Sequence, residues 1–156
     1  MIVSNRRIDR FLFAFLLVIA IGVPVSLQVY NKRYLDDKID QEAKVFSLTG
    51  HMEKGWILGE VKAWEAVTFK GKNLELKHPV IRVRKGDQIV LKLTSSDVIH
   101  GFSLKDFEIF ITDGILPGKI KLVNFTADKV GTFTFTCNAI CGIKHEQMKG
   151  TIVVTA

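Results

Sequence analysis

Cysteine is nearly absent from this chain of 156 residues: there are two, Cys137 and Cys141, both near the C-terminal end. No cysteine stands near the N-terminal apolar run, so that run is not the start of a lipid-anchored chain. No clear A-x-A cleavage site follows it either, which disfavours a removed signal peptide. Outside the N-terminal half no helical apolar period of useful length occurs, which argues against a helical domain there. There is no basic helix and no aromatic platform motif. The lysines are scattered, so the sequence pI of about 9.4 does not signify nucleic-acid binding. Nineteen Lys and Arg against fifteen Asp and Glu follow residue 30, the composition of a solvated, mixed-charge surface.

One long hydrophobic run is present. Phe11 to Tyr30 contains no charge. As a helix these residues would span roughly 30 Å, the thickness of a bilayer core. Tyr30 and Tyr34 suit an interface, Lys32 and Arg33 can snorkel there, and Pro24 is a candidate kink. A retained single-pass anchor is expected. Asp9 reads as a helix-flanking charge, with a place near a proton path as its sharper alternative. The expected organisation is 1–34 cytoplasmic stub and transmembrane anchor, 35–55 stalk with a short helix over 34–45, and 56–156 one globular domain. Gly50, Gly55 and Gly59 read as breaks in the stalk, and His51 and Met52 as surface residues.

From residue 60 the apolar period becomes two. Strands are expected over 60–69, 80–84, 89–94, 103–112, 119–126, 132–136 and 151–155, with turns at 70–73, 85–87, 113–114 and 128–131. Short strands separated by Gly- and Asp-bearing turns are the pattern of an all-β sandwich. His78, before Pro79, reads as a structural or solvent-facing residue.

The chemistry concentrates in one stretch. Residues 137–148 read CNAICGIKHEQM, so Cys137, Cys141, His145 and Met148 follow at spacings of four, four and three. Thiolate, imidazole and thioether are the soft and borderline donors that copper prefers. A disulfide between the cysteines would leave His100, His145 and Met148 unexplained. A mononuclear blue copper site needs one Cys only, and the extra thiol at Cys137 suggests two thiolates sharing two ions.

This run resembles the C-x-x-x-C-x-x-x-H-x-x-M loop of the binuclear CuA centre, as in subunit II of haem–copper cytochrome c oxidases. The context Asp97-Val98-Ile99-His100, the Leu116-Pro117-Gly118 turn and the closing 150–154 segment extend the resemblance over about 79–154. The single anchor and short domain resemble the B-type (ba3-like) oxidases most. The resemblance implies a cupredoxin-like Greek-key β-sandwich with one N-terminal transmembrane helix and two copper ions. Cys137 and Cys141 would bridge the ions, His100 and His145 would each cap one, and Met148 and the backbone carbonyl of Ala139 would be weak ligands. Many relatives carry Glu at the Ala139 position, reaching a magnesium ion, and no such site follows here. Phe102 resembles an aromatic position near where electrons enter, or else packs over the site.

The implied function is electron transfer in a terminal oxidase, from a c-type cytochrome or small copper protein to haem in a catalytic subunit. The chain itself lacks the helices and histidines for an oxygen-reducing site. The implied location is the cell membrane, with the copper domain on the periplasmic or outer side. Alternatives are a CuA subunit of a nitric oxide reductase, a free-standing anchored carrier, a thioredoxin-like copper chaperone or thiol reductase, and a mononuclear blue copper protein.

Overall fold

The computed structural model describes residues 6–61, 78–142 and 145–156. The chain divides into two units, Met1–Gln41 and Glu42–Ala156. The first is built on helix α1, Arg6–Asp36, with Pro24 inside it. Its 31 residues extend about 46 Å at 1.5 Å per residue. Its apolar side chains from Phe11 to Val29 are exposed, and it is long and apolar enough to cross a membrane.

The second unit is a sandwich of two sheets. Strands β1 (Lys44–His51), β2 (Gly55–Leu58), β3 (Val80–Arg84), β4 (Gln88–Ser95), β5 (His100–Leu104), β6 (Ile109–Ile115), β7 (Lys121–Thr126), β8 (Gly131–Thr136) and β9 (Lys149–Thr155) follow in order. One sheet runs β2-β1-β4-β7 and the other β3-β9-β8-β5-β6. Pairings β1–β4 and β3–β9 are parallel, and the rest are antiparallel. After β3 the chain therefore passes between sheets at 85–87, 96–99, 116–120 and 127–130. The second passage ends on His100.

Alternation along the strands builds the core. Leu48, Ile89, Leu91, Leu93 and Val123 come from one sheet, and Ile81, Val83, Phe102, Leu104, Phe135, Ile152 and Val154 from the other. In β3 the pattern is strict: Ile81 and Val83 are buried while Val80, Arg82 and Arg84 face out. Fully burying one such side chain contributes roughly 1.5–3 kcal/mol. Strand β9 contributes Gly150, where a Cβ would lie 2.5 Å from Phe135 Cε2. The missing side chain is what lets the Phe135 ring approach the β9 backbone this closely.

Three expectations change. The helix over 34–45 and the stalk to residue 55 are replaced, because α1 ends at Asp36 and β1 begins at Lys44. β1 pairs with β4 over seven positions, from Lys44↔Ile89 to Gly50↔Ser95. That ladder and the burial of Leu48 override the local helical period of Leu35, Ile39 and Val45. The continuous run over 103–112 is broken by a 3₁₀ turn at Lys105–Phe107, closed by Glu108 at φ 56°. The turn at 113–114 is instead part of β6, where Gly114 at φ 83° accompanies a register shift opposite His100 and Phe102. Most of the strand over 60–69 and the turn at 70–73 lie outside the described residues.

Two outcomes test this packing. Gly150→Ala drives a methyl into the Phe135 ring and should destabilise the sandwich by about 1–3 kcal/mol in urea unfolding, as overpacked cores do. Asp87 closes the β3–β4 turn, accepting from Lys44 Nζ and from the Arg84 N–H, each at 2.6 Å. The Lys44 partner first, then the Arg84 N–H, hold its carboxyl below the usual range. A depressed carboxyl stabilises the fold above its unfolded value, and the contribution is lost as pH falls through the folded one. Asp87→Asn should therefore lower the melting temperature at pH 7, with the gap closing in acid.

Candidate metal centre

Strand β8 delivers Cys137 and β9 receives the chain after Met148. Their register, Thr136↔Lys149, closes the intervening loop at its base. The Cys137 N–H donates to the Met148 carbonyl at 3.1 Å, and the His145 N–H to the Gly142 carbonyl at 3.2 Å. A 3₁₀ turn at His145–Gln147 brings His145 and Met148 back toward the cysteines. On the other side of β8 lies β5, in register at Ser103↔Thr136. This pairing places the start of β5 beside Cys137, and the Gly101 N–H donates to Cys137 Sγ at 3.3 Å.

The donor atoms converge. Cys137 Sγ lies 3.6 Å from Cys141 Sγ. Cys141 Sγ lies 3.6 Å from His145 Nδ1 and 3.3 Å from Met148 Sδ. The Ala139 carbonyl is 3.3 Å from Cys137 Sγ. A ring nitrogen of His100 and both cysteine sulfurs lie within 4.8 Å of one another. The cysteines are free thiols, well beyond the roughly 2.05 Å of a disulfide bond. His100 and Met148 are fully buried, Cys137 and Cys141 nearly so, and His145 half-buried.

His100 is held from behind. Its Nε2 meets Asp97 Oδ1 at 2.9 Å, while Nδ1 is buried without a hydrogen-bond partner. An orphaned ring nitrogen costs about 1–3 kcal/mol unless something occupies it. A metal ion does so, and a carboxylate behind the imidazole is the usual arrangement for a metal-ligating histidine. Two thiols, two imidazoles and a thioether therefore fit copper. In the metal-free chain, burial opposes charge on His100, but the Asp97 carboxylate and the nearby Cys137 sulfur together outweigh it and raise the pKa to about 9. Burial likewise opposes the Asp97 carboxylate, yet hydrogen bonds from His100, Met52 N and Val98 N bring it down to about 2.

The two thiols are pushed apart. Burial works against both thiolates. For Cys137 the nearby His100 ring and the Ala139 and Gly101 backbone prevail and lower its pKa. For Cys141 the neighbouring Cys137 adds to burial and raises it. One thiolate thus forms readily and the second only against its neighbour's charge. A cation between them removes that conflict.

Several residues reach the site without a signal in the sequence. Asp97 belongs to the motif, where it reads only as part of the context of His100. It accepts hydrogen bonds from Val98 N at 2.7 Å and Met52 N at 2.6 Å as well as engaging His100. Trp56 is buried, tilted against His100 at 6.3 Å between ring centroids. It also meets Phe102 at 5.6 Å and Phe135 at 6.3 Å. Phe102 is 0% exposed, stacked on Phe135 at 5.5 Å. Of the two readings of Phe102, its burial favours packing against the site. His51 and Met52, read as surface residues, are corrected. Both are partly buried, His51 Nδ1 lies 3.6 Å from Asp97 Oδ2, and Met52 lies on Gly142. Ile140, between the cysteines, is 96% exposed.

The family profile described as cytochrome c oxidase subunit II, periplasmic domain, matches residues 58–156. Cytochrome c oxidase subunit 2 of Thermus thermophilus is 43% identical over 74 residues, covering 47% of this chain and 53% of that relative. The match spans about half the length of the curated relatives. The crystal structure of the periplasmic domain of subunit II of cytochrome oxidase from Bradyrhizobium japonicum superposes with a TM-score of 0.51 at 24% identity, covering 75% of this chain and 87% of that one. A haem–copper terminal oxidase dimer gives 0.52 at 20% identity, covering 94% of this chain and 99% of its own. At these identities the two structures speak for the cupredoxin-like fold.

Asp97→Ala releases the His100 ring and the β1–β2 turn together. It should weaken copper binding by about 10–100-fold, the usual cost of removing a group behind a ligand. Competition against a chelator of known affinity measures it, and Asp97→Asn, which keeps an acceptor for Nε2–H, should lose less.

Proposed function

We propose, for a chain that belongs to the cytochrome c oxidase subunit II family through its periplasmic domain, that it carries a binuclear CuA centre. There it accepts single electrons from a c-type cytochrome or small copper protein and passes them to haem in a catalytic subunit. The observation that carries this reading is the convergence of two free, buried thiols with His145, Met148 and the orphaned Nδ1 of His100. A mononuclear blue copper site needs one thiolate only, whereas a second one 3.6 Å from the first can bridge a second ion. His100, Cys137, Cys141, His145, Met148 and the Ala139 carbonyl would hold the two ions, which would supply reversible one-electron exchange.

The protein's part is rigidity and dryness. Cys137 is tied to β9 through the Met148 carbonyl and to β5 through the Gly101 N–H. Asp97 fixes the tautomer of His100 by accepting Nε2–H, leaving Nδ1 for the metal. Trp56, Phe102 and Phe135 line the inner side with apolar rings. Donors locked on paired strands and shielded from water move little when the charge changes, and the cost of electron transfer falls with that movement. No group on the chain needs to bind or transform a substrate for this task.

The helix α1 supports a single-pass anchor in the cell membrane, with the copper domain on the periplasmic or outer side. The partner would be a membrane-embedded, haem-bearing catalytic subunit. The Thermus relative and the short domain favour an oxidase of the B type.

The test is copper stoichiometry and electron paramagnetic resonance of the full chain in detergent. Two coppers per chain, with one unpaired electron shared between both nuclei, are expected, and Cys137→Ser should abolish the shared signal. One copper with a single-nucleus spectrum that survives Cys137→Ser would point to a mononuclear blue site instead. Co-purification with a haem-bearing subunit tests the partner.

A further inference from the structure

The turn between β1 and β2 touches both arms of the metal centre. Gly50 lies against the His100 ring, where a Cβ would come within 2.7 Å of Cδ2. Two residues on, the Met52 N–H donates to Asp97 Oδ2 at 2.6 Å, the carboxylate whose other oxygen meets His100. The Met52 side chain then reaches across to the cysteine loop. A Cβ on Gly142 would meet Met52 Cγ and would lie 2.5 Å from its Sδ, so the thioether rests directly on the residue after Cys141. Gly142 itself stands at φ 146°, a conformation that brings its backbone under the thioether without a side chain in between.

We infer that Met52 is a positioning residue that covers the cysteine loop, pressing Cys141–Gly142 toward His100 and closing the thiols to solvent. Its backbone is anchored on the histidine arm and its side chain lies on the thiol arm, so one residue joins the two halves of the donor set. The unbranched thioether suits the role, because it fills an irregular gap and adapts as the loop tightens on a metal. The inference rests on reading Cys137 and Cys141 as the metal-binding thiols. It concerns the loop's closure and is measurable with no metal present.

The first measurement is alkylation of the two thiols by iodoacetamide in the reduced, metal-free full chain. Local opening controls this rate, so Met52→Ala should raise it roughly ten-fold. Met52→Leu, which keeps the bulk, should stay near the parent. Phe107→Leu serves as the control. It weakens the Phe107–Phe125–Phe133 ring contacts, which involve none of the donor residues, and should leave the alkylation rate unchanged at the same temperature.

A second measurement isolates the contact. Gly142→Ala carries a backbone penalty in any background, but its clash with Met52 exists only when Met52 is present. In a double-mutant cycle Gly142→Ala should therefore speed alkylation less in the Met52→Ala background than in the parent. In the copper-loaded chain Met52→Ala should release metal to a chelator faster and shift the absorption bands, with Met52→Leu restoring both. Unchanged alkylation in Met52→Ala, or additive effects in the cycle, would overturn the inference. Failure of Met52→Leu to restore the loaded chain would assign the thioether a ligand's role in place of a cover. Failure to bind copper at all would overturn the electron-transfer reading while the alkylation result still decided this one.

Discussion

The site depends on one strand being paired on both edges. β8 hydrogen-bonds to β9 on one side and to β5 on the other. Cys137 follows its last residue, Met148 precedes β9, and His100 opens β5. A donor set drawn from positions as far apart as 100 and 148 is thus assembled by backbone ladders. The side chains need little further ordering at the site itself. Loss of this pairing would scatter the donors even with every ligand present. Gly150 and Gly101 serve the same constraint, since each allows a close approach where a Cβ would force a ring or the ligand loop aside.

The electrostatics of the donor set suit a soft cation. Burial disfavours thiolates, and the two sulfurs disfavour each other, so the metal-free loop holds one reluctant proton on Cys141. His100 keeps one nitrogen on Asp97 and leaves the other unpaired in a dry interior. These are costs in the metal-free state that a soft cation relieves together. What marks a binding site is their convergence on one point, since single unpartnered atoms also occur at Trp56 Nε1 and Ser103 Oγ.

The β1–β2 hairpin supplies the third side. It brings Gly50, Met52 and Trp56 against His100, Asp97 and the cysteine loop. The hairpin is local in sequence but joins the sheet through a parallel ladder with β4, some 45 residues away. The centre is therefore enclosed by a segment that contributes no ligand. Water exclusion and ligand orientation both depend on its packing.

The sequence by itself determined the fold class and picked out the donor residues that the fold brings together. The spacing 137–141–145–148 with soft donors is too specific for a core or a surface, and His100 follows from its Asp97-Val98-Ile99 context. Two-residue periodicity located β3, β4, β8 and β9, because alternate burial leaves a strong mark on short strands, and the uncharged run from Phe11 located α1. Only the tertiary structure decided the rest. β1 carries a weak local pattern, and pairing with β4 outweighed its helical period. Phe102 was legible as an aromatic near a ligand with packing over the site as one of two readings, and its contacts with Trp56 and Phe135 decided for burial. Asp97 could not be read as the support of His100, nor Met52 as a neighbour of Gly142. Those contacts join residues 45 and 90 positions apart in part, and nothing in local spacing encodes which distant side chains a folded loop will meet.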